Sequence, residues 1–318
     1  MTGGDLLLAA MLDVAVGDPR WFPHPVRGMG RLISWCDERV RPICRSTGSL
    51  RVAGACLATG LPVLAYVLGA FMIDWAGAVS VLLGNVVSVG LAYTTLAGRD
   101  LFNHALAVRR NLTGGNLVGA RHAVSLIVGR DTDTLSEPEV IRATVESIAE
   151  STADGVMAPL IYLTIGGPPL ALAYKAINTL DSMIGHRDSR YIDFGWASAR
   201  LDDLANWIPA RLSAGLIVVA AGFATGQWSC TTMSWQILCR DGHKHSSPNS
   251  GRPEAAMAGA LGIQLGGVNF YDGLPHEGAR MGDGTKSLAP HDIDRAIRIT
   301  VIACGLGLLL AAVTLWVA

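Results

Sequence analysis

The segment ARLDDLANWIPAR, residues 199–211, carries two arginines, two adjacent aspartates and an asparagine just before a stretch, 212–239, with no charged side chain. On a helix, the D-D-x-x-N spacing puts Asp202 and Asn206 one turn apart with Asp203 alongside. Two carboxylates and an amide oxygen are hard ligands that suit Mg2+, which keeps waters and bridges to substrate phosphate. Asp202, Asp203 and Asn206 are therefore candidate metal residues. The competing reading is an Arg–Asp network that ties a loop to an apolar segment. The same block, 174–211, also holds Lys175, Asn178, Asp181, His186, Arg187, Arg190, Tyr191, Arg200 and Arg211. Arginine grips phosphate and carboxylate bidentately, so these cations are candidate anion holders.

A second acidic group precedes it. Residues 136–150, SEPEVIRATVESIAE, read as a helix capped by Ser136, with Glu139 completing a capping box. Glu146 and Glu150 are one turn apart, Asp154 follows on the same face if the helix persists, and Arg142 is placed to pair with Glu146. A solvated face with i,i+4 pairs is one reading. A metal site is the other, because three carboxylates at the edge of an apolar segment repel unless a cation offsets them. The turn SPNSGRPEAAMAG, 247–259, starts a small-residue helix with Ser250 or Gly251 as N-cap and Pro253 in the first turn. Its N–H groups, with Asn249, Ser250 and Arg252, form a candidate anion site. In GDPRWFPHPV, 17–26, Asp18 and His24 are candidates for ligand or base, or for a hydrogen-bonded strut. GDGTKS, 282–287, is no P-loop: Thr285 precedes Lys286 and no strand is evident before it. RDTDTL, 130–135, is a further Arg–Asp loop.

The elements that must position these residues lie in or against a membrane. Half of the 318 residues are hydrophobic, 16% are charged and mean hydropathy is +0.37, against roughly 25% charged in soluble domains. Stretches 52–73, 75–98, 155–174, 212–239 and 299–318 carry no formal charge. Spans are expected near 52–73, 75–98, 212–227 and 299–318. The GGPP in 155–174 predicts a bent or re-entrant hairpin. The expected fold is all-α and multi-pass, one membrane-embedded catalytic domain over 1–318 with amphipathic helices between the spans. Arginine-rich 17–51, 99–154, 175–211 and 240–298 read as cytoplasmic. Placing both ends of 212–239 on that side requires either a dip and return there or a crossing by 155–174. A net charge of −1 argues against nucleic acid. The six cysteines form no C-x-x-C pair and read as thiols. The acidic N-terminus, with Asp5 and Asp13, is unlike a cleavable signal.

Read together and in order, GDPRWFPHPV, GRDTDTL, ATVESIAESTADGVMAPLIY, the whole 174–211 block, SPNSGRPEAAMAGALGIQLGGVNFYDG and the final apolar helix resemble the adenosylcobinamide-phosphate synthase family of cobalamin biosynthesis, the CobD/CbiB family. The resemblance runs nearly end to end. It implies a multi-pass inner-membrane enzyme that joins a carboxylate of adenosylcobyric acid to (R)-1-amino-2-propanol or its O-phosphate, using ATP and Mg2+. Such chemistry needs a metal to shield phosphate, basic groups for charged ligands and a base for the amine. By residue type, Asp202, Asp203, Asn206, Glu146, Glu150 and Asp154 are expected at the metal. His186 or Asp181 is expected as base, beside Lys175 and Asn178. Arg187, Arg190, Tyr191, Arg200, Arg211, His24 and the 249–252 turn are expected at the substrates. The 146–154 and 202–206 groups are expected to share one cytoplasm-facing pocket. Expected partners are the corrinoid, the amine and the bilayer; a homo-oligomer or a complex with other cobalamin enzymes is left open. Two other readings are a Mg2+-dependent transferase of a lipid or prenyl diphosphate and a corrinoid transporter.

Overall fold

The computed structural model describes every residue except 20, 22, 187 and 318. Arg187, an expected substrate residue, lies outside the described residues. The helices run α1 (Gly3–Val16), α2 (Pro25–Arg39), α3 (Thr47–Val79), α4 (Val81–Tyr93), α5 (Gly98–Thr113), α6 (Leu117–Ser125), α7 (Glu137–Ser151), α8 (Ala158–Ile184), α9 (Trp196–Ala205), α10 (Trp207–Thr225), α11 (Trp228–Asp241), α12 (Gly251–Leu261) and α13 (His291–Val317). Among the described residues, five helical runs are long and apolar enough to cross a membrane: Thr47–Val79, Val81–Thr113, Glu137–Ile184, Trp207–Thr225 and His291–Val317. On α3, Val63, Val67, Phe71 and Trp75 are exposed. A wall of large apolar groups facing outward is unstable in water and at rest in lipid. The protein is a multi-pass helical membrane protein.

The chain forms two compact units. Unit 1 comprises Met1–Ala97, Ala158–Asn206 and Leu310–Ala318, and unit 2 comprises Gly98–Met157 and Trp207–Leu309.

Unit 1 is built around α3 and α8, with Met29, Ile33, Leu61, Leu172, Leu180 and Phe194 in one core cluster. The GGPP motif breaks α8. Gly167 takes φ +66°, and neither Gly166 nor Gly167 is helical. Across the break, the rings of Tyr162 and Tyr174 stack with centroids 4.8 Å apart. In a straight helix, twelve residues would separate them by ~18 Å. The segment therefore doubles back, as the glycine–proline pattern predicts. α3 meets the 184–195 loop closely enough that a Cβ on Gly54 would lie 1.8 Å from the Phe194 carbonyl oxygen. Gly54→Ala is expected to lose about 1–3 kcal/mol, read as a lower melting temperature in detergent, and an unchanged melt would mean that this contact is looser than described.

Unit 2 packs α10, α11 and α12 through small residues. Ala255, Ala256, Ala258 and Ala260 are fully or almost fully buried. The Ser234 hydroxyl donates to the Ala256 carbonyl at 2.7 Å. A tight turn at Gly226, φ +68°, sends α11 back along α10. Arg211 Nη1, at the start of α10, lies 3.5 Å from Asn249 Oδ1, beyond the end of α11. Residues 212–239 thus fold back on themselves as the α10–α11 helical hairpin.

One feature departs from an all-helical reading. Strands β1 (Val268–Tyr271) and β2 (Leu274–Glu277) form an antiparallel hairpin. Its two-residue turn, Asp272–Gly273, has φ +50° and +76°. An Asp-Gly pair between apolar neighbours is a strong short-range hairpin signal, so the sequence does carry this element.

Candidate functional site

Unit 1 assembles the first acidic group. Asp202 sits in α9 and Asn206 caps that helix. Both are buried, at 9% and 1% exposure. Asn206 Nδ2 donates to both oxygens of Asp202 at 3.0 Å. Asn206 Oδ1 accepts from the Tyr174 hydroxyl at 2.9 Å. This amide orientation is forced, since turning it would set oxygen against carboxylate. The one-turn spacing read from the sequence is therefore real, but the Asn206 oxygen is taken by Tyr174 and the residue acts as a strut. Tyr162, stacked on Tyr174, donates to the Ala205 carbonyl at 2.9 Å, so the re-entrant hairpin holds the end of α9 through two hydroxyls. Tyr174→Phe is expected to destabilise by about 1 kcal/mol and to loosen Asn206, which slower turnover in the same preparation would register.

Burial pushes the Asp202 carboxyl up, the charge of Asp181 pushes it further, and the amides of Asn206 and Asn178 only partly oppose this, leaving it at about 7. Asp181, Asn178 and Lys175 lie at three-residue spacing on α8. Asp203, half-buried, adds a further repulsion toward Asp202. One buried carboxylate crowded by two half-buried ones, with neutral amides on it, fits a divalent cation, which would favour the ionised form. Among the described residues no three His, Cys, Asp or Glu side chains are grouped closely enough to hold a metal by themselves. Mg2+ usually asks for only one or two protein carboxylates, with waters and phosphate oxygens completing its shell.

Other expected residues of unit 1 do different work. Asp37 of α2, which the sequence reading did not single out, accepts from Arg41 Nε at 2.6 Å, from Arg190 and from the Tyr191 hydroxyl at 3.2 Å. Burial raises this carboxyl, yet the two arginines outweigh it and hold it below the ordinary range. Arg190 and Tyr191 therefore lock the 188–191 turn onto α2. His24 Nε2 lies 2.9 Å from Asp18 Oδ1, although the approach is not angled for a hydrogen bond. His186 is exposed, with its ring 6.1 Å from that of Tyr191. Arg200 is exposed.

The second acidic group belongs to unit 2. Its helix begins as predicted, with the Glu139 carboxylate accepting from the Ser136 N–H at 2.7 Å and from its hydroxyl at 2.6 Å. Glu146 is buried and not solvated. It takes a short contact from Arg130, lies 3.5 Å from Arg142 and accepts from the Gly266 N–H at 2.7 Å. Arg142 also donates to the carbonyls of Gly266 and Val268, and Arg130 to Asn269 Oδ1. The β-hairpin and the RDTDTL loop are thereby clamped around one carboxylate, whose oxygens are committed, so Glu146 does not fit a metal. Asp154 falls in a π-helical stretch, Thr152–Met157. The wider turn there breaks the i,i+4 spacing, and Asp154 does not line the cavity that Glu146 and Glu150 share with Glu254.

The 247–252 turn is also in unit 2. Arg211 stacks on Trp207, 4.1 Å from the ring centre, and donates to the Trp207 carbonyl at 2.7 Å. Arg252 Nε is buried without a hydrogen-bond partner. An orphaned guanidinium donor beside the first turn of α12 suits an anion. Ser250 turns the other way, its hydroxyl donating to Glu150 at 2.8 Å. Lys286, from the P-loop lookalike, is paired with Asp292.

Sequence reasoning missed Asp37, Tyr162, Tyr174 and Glu254. A lone acid in a helix of alanines and glycines was the available sign of the last.

A family model described as CobD/Cbib protein matches residues 6–300. A Geobacter metallireducens protein named "Cobalamin biosynthesis protein CobD" is 49% identical over 98% of this chain and 96% of its own length. A Klebsiella pneumoniae protein of the same name is 45% identical over 95% and 94%. A Salmonella typhimurium "Cobalamin biosynthesis protein CbiB" is 42% identical over 95% and 94%. No solved structure matches. With nearly its whole length matched by the family model and by such relatives, the chain belongs to the CobD/CbiB family.

Proposed function

We propose that the protein acts in cobalamin biosynthesis by forming an amide between a carboxylate of adenosylcobyric acid and (R)-1-amino-2-propanol or its O-phosphate, driven by ATP. A carboxylate is a poor electrophile near neutral pH. Transfer of the terminal phosphoryl group of ATP to it gives an acyl phosphate and ADP. The amine then attacks the carbonyl, the new C–N bond forms, phosphate leaves and the nitrogen gives up a proton. Asp202, with Asp181 and Asp203 beside it, would hold Mg2+, which supplies charge shielding for the phosphates. Lys175 and Arg200 would face phosphate oxygens, with Asp181 or His186 as base. Arg211 and Arg252 would hold an anionic group at the start of α12. The site would face the cytoplasm from the inner membrane, where ATP is present.

The observation that carries this reading is the Asp202 carboxyl, buried near the charge of Asp181 and hydrogen-bonded by the amide of Asn206. A protein keeps such a site at a cost in stability. The reading is tested by incubating purified protein in detergent or nanodiscs with adenosylcobyric acid, ATP, Mg2+ and each amine, and weighing the products by mass spectrometry. Amide product that requires Mg2+ and ATP is expected. Turnover of a prenyl diphosphate, or corrinoid uptake into vesicles without amide formation, would replace it with one of the rival activities.

A further inference from the structure

We propose that the cavity behind α7 in unit 2 recognises a primary ammonium group, with Glu254 as its counter-charge and Glu150 as a second acceptor. The identity of the amine rests on the amide-forming reading above; the site rests on geometry. Glu254 is 6% exposed and opens on a cavity of about 250 Å3 that it shares with Arg130, Glu146, Glu150, His245 and Asn269. Among the described residues nothing donates a hydrogen bond to its carboxyl. A buried acid without a partner is rare and calls for an explanation.

The neighbouring charges show what is missing. Arg130 and Arg142 both face Glu146, while Glu150 and Glu254 add two further acids to the same cavity. Among the described residues no ion pair reaches Glu254, which feels the two arginines less than it feels Glu146 and Glu150. Burial, and then the charges of Glu146 and Glu150, push its carboxyl well above the ordinary range. A ligand bearing one positive charge completes the set. A metal ion fits less well, because the oxygens of Glu146 are already committed to Arg130, Arg142 and the Gly266 N–H. An ammonium group has three donors that need only separate acceptors at hydrogen-bond distance. Size narrows the class further. A cavity of about 250 Å3 has room for a small amine.

The test uses the full chain in nanodiscs and (R)-1-amino-2-propanol as probe. Calorimetry gives its Kd for the parent and for Glu254→Gln, and steady-state assays give KM for the amine, ATP and the corrinoid acid. Loss of a charge-assisted contact predicts about 30- to 100-fold weaker amine binding in Glu254→Gln, with the other two KM values within about twofold. Propylamine should compete, and 1,2-propanediol, which keeps the hydroxyl and lacks the charge, should not. Glu254→Asp, which retains the charge, should fall between parent and Glu254→Gln. An unchanged amine Kd in folded Glu254→Gln, a parent that does not bind the amine, or equal competition by the diol overturns the proposal. Amine binding that depends on Glu254, with no amide made, keeps the site and overturns the amide reading. Amide formation with an unchanged amine KM in Glu254→Gln does the reverse. If Glu254→Gln does not fold, Glu150→Gln at the exposed end of the cavity carries the test. About 3- to 10-fold weaker amine binding is expected there, and no change overturns the proposal.

Discussion

Asp202→Asn is expected to lower amide synthesis about 100- to 1,000-fold while making the metal-free protein more stable at pH 8. The first effect follows from removing the charge proposed to hold Mg2+ at a preorganised, water-poor site. The second follows from linkage. The folded carboxyl sits at about 7 against an ordinary value of 3.8. Between those values the folded state carries a proton that the unfolded state has lost, so stability falls as pH rises, by about 1.4 kcal/mol per unit. Below the ordinary value the penalty is absent, and above the folded value it is complete, at most about 4 kcal/mol. Melting curves of parent and variant in chelator, from pH 4 to pH 8, should diverge with rising pH, and added Mg2+ should close the gap by raising the parent. Parallel curves would remove the electrostatic basis for a cation at this position. An active Asp202→Asn enzyme with normal Mg2+ dependence would move the metal elsewhere.

The second large effect is expected at Glu146. Removing one member of a buried ion pair leaves its partners charged and unpaired, which costs about 3–5 kcal/mol. Glu146→Ala strands two arginines whose side chains are each 9% exposed and also removes the acceptor for the Gly266 N–H. The variant should melt far lower than the parent. Because the same carboxylate clamps the β-hairpin, protease cleavage near Asp272–Gly273 should appear well before global unfolding. Glu146→Gln keeps an acceptor of the same shape and should lose less. If Glu146→Ala melts like the parent but loses Mg2+ dependence, Glu146 is a ligand after all and the clamp described here is secondary.

These two residues separate what was legible in the chain from what was not. The Asp202–Asn206 spacing was readable because one helical turn fixes it. That the Asn206 oxygen would be spent on Tyr174 was not, because Tyr174 reaches it only after the chain doubles back at Gly166–Gly167. The pairing of Arg142 with Glu146 was readable for the same local reason. The second arginine on Glu146 comes from a loop sixteen residues earlier, and the Gly266 N–H from a segment 120 residues later. The expected grouping of Glu146, Glu150 and Asp154 failed at Asp154, where a π-helical turn intervenes and no composition signal announces it. The two acidic groups fall in different compact units.

By itself the sequence determined that this is a helical membrane protein, that residues 155–174 must break, and which family it belongs to, but not where the spans end, since α3 runs on through Asp74 to Val79. Those properties follow from local quantities: hydropathy over about 20 residues, the conformational demands of Gly and Pro, and the order of motifs. Only the tertiary structure decided which acids are paired, which are orphaned and which share a cavity. Charge compensation in a buried site is a property of neighbours in space. Glu146 and Glu254 look alike as letters, yet one holds two arginines and the other faces a cavity with no hydrogen-bond donor among the described residues.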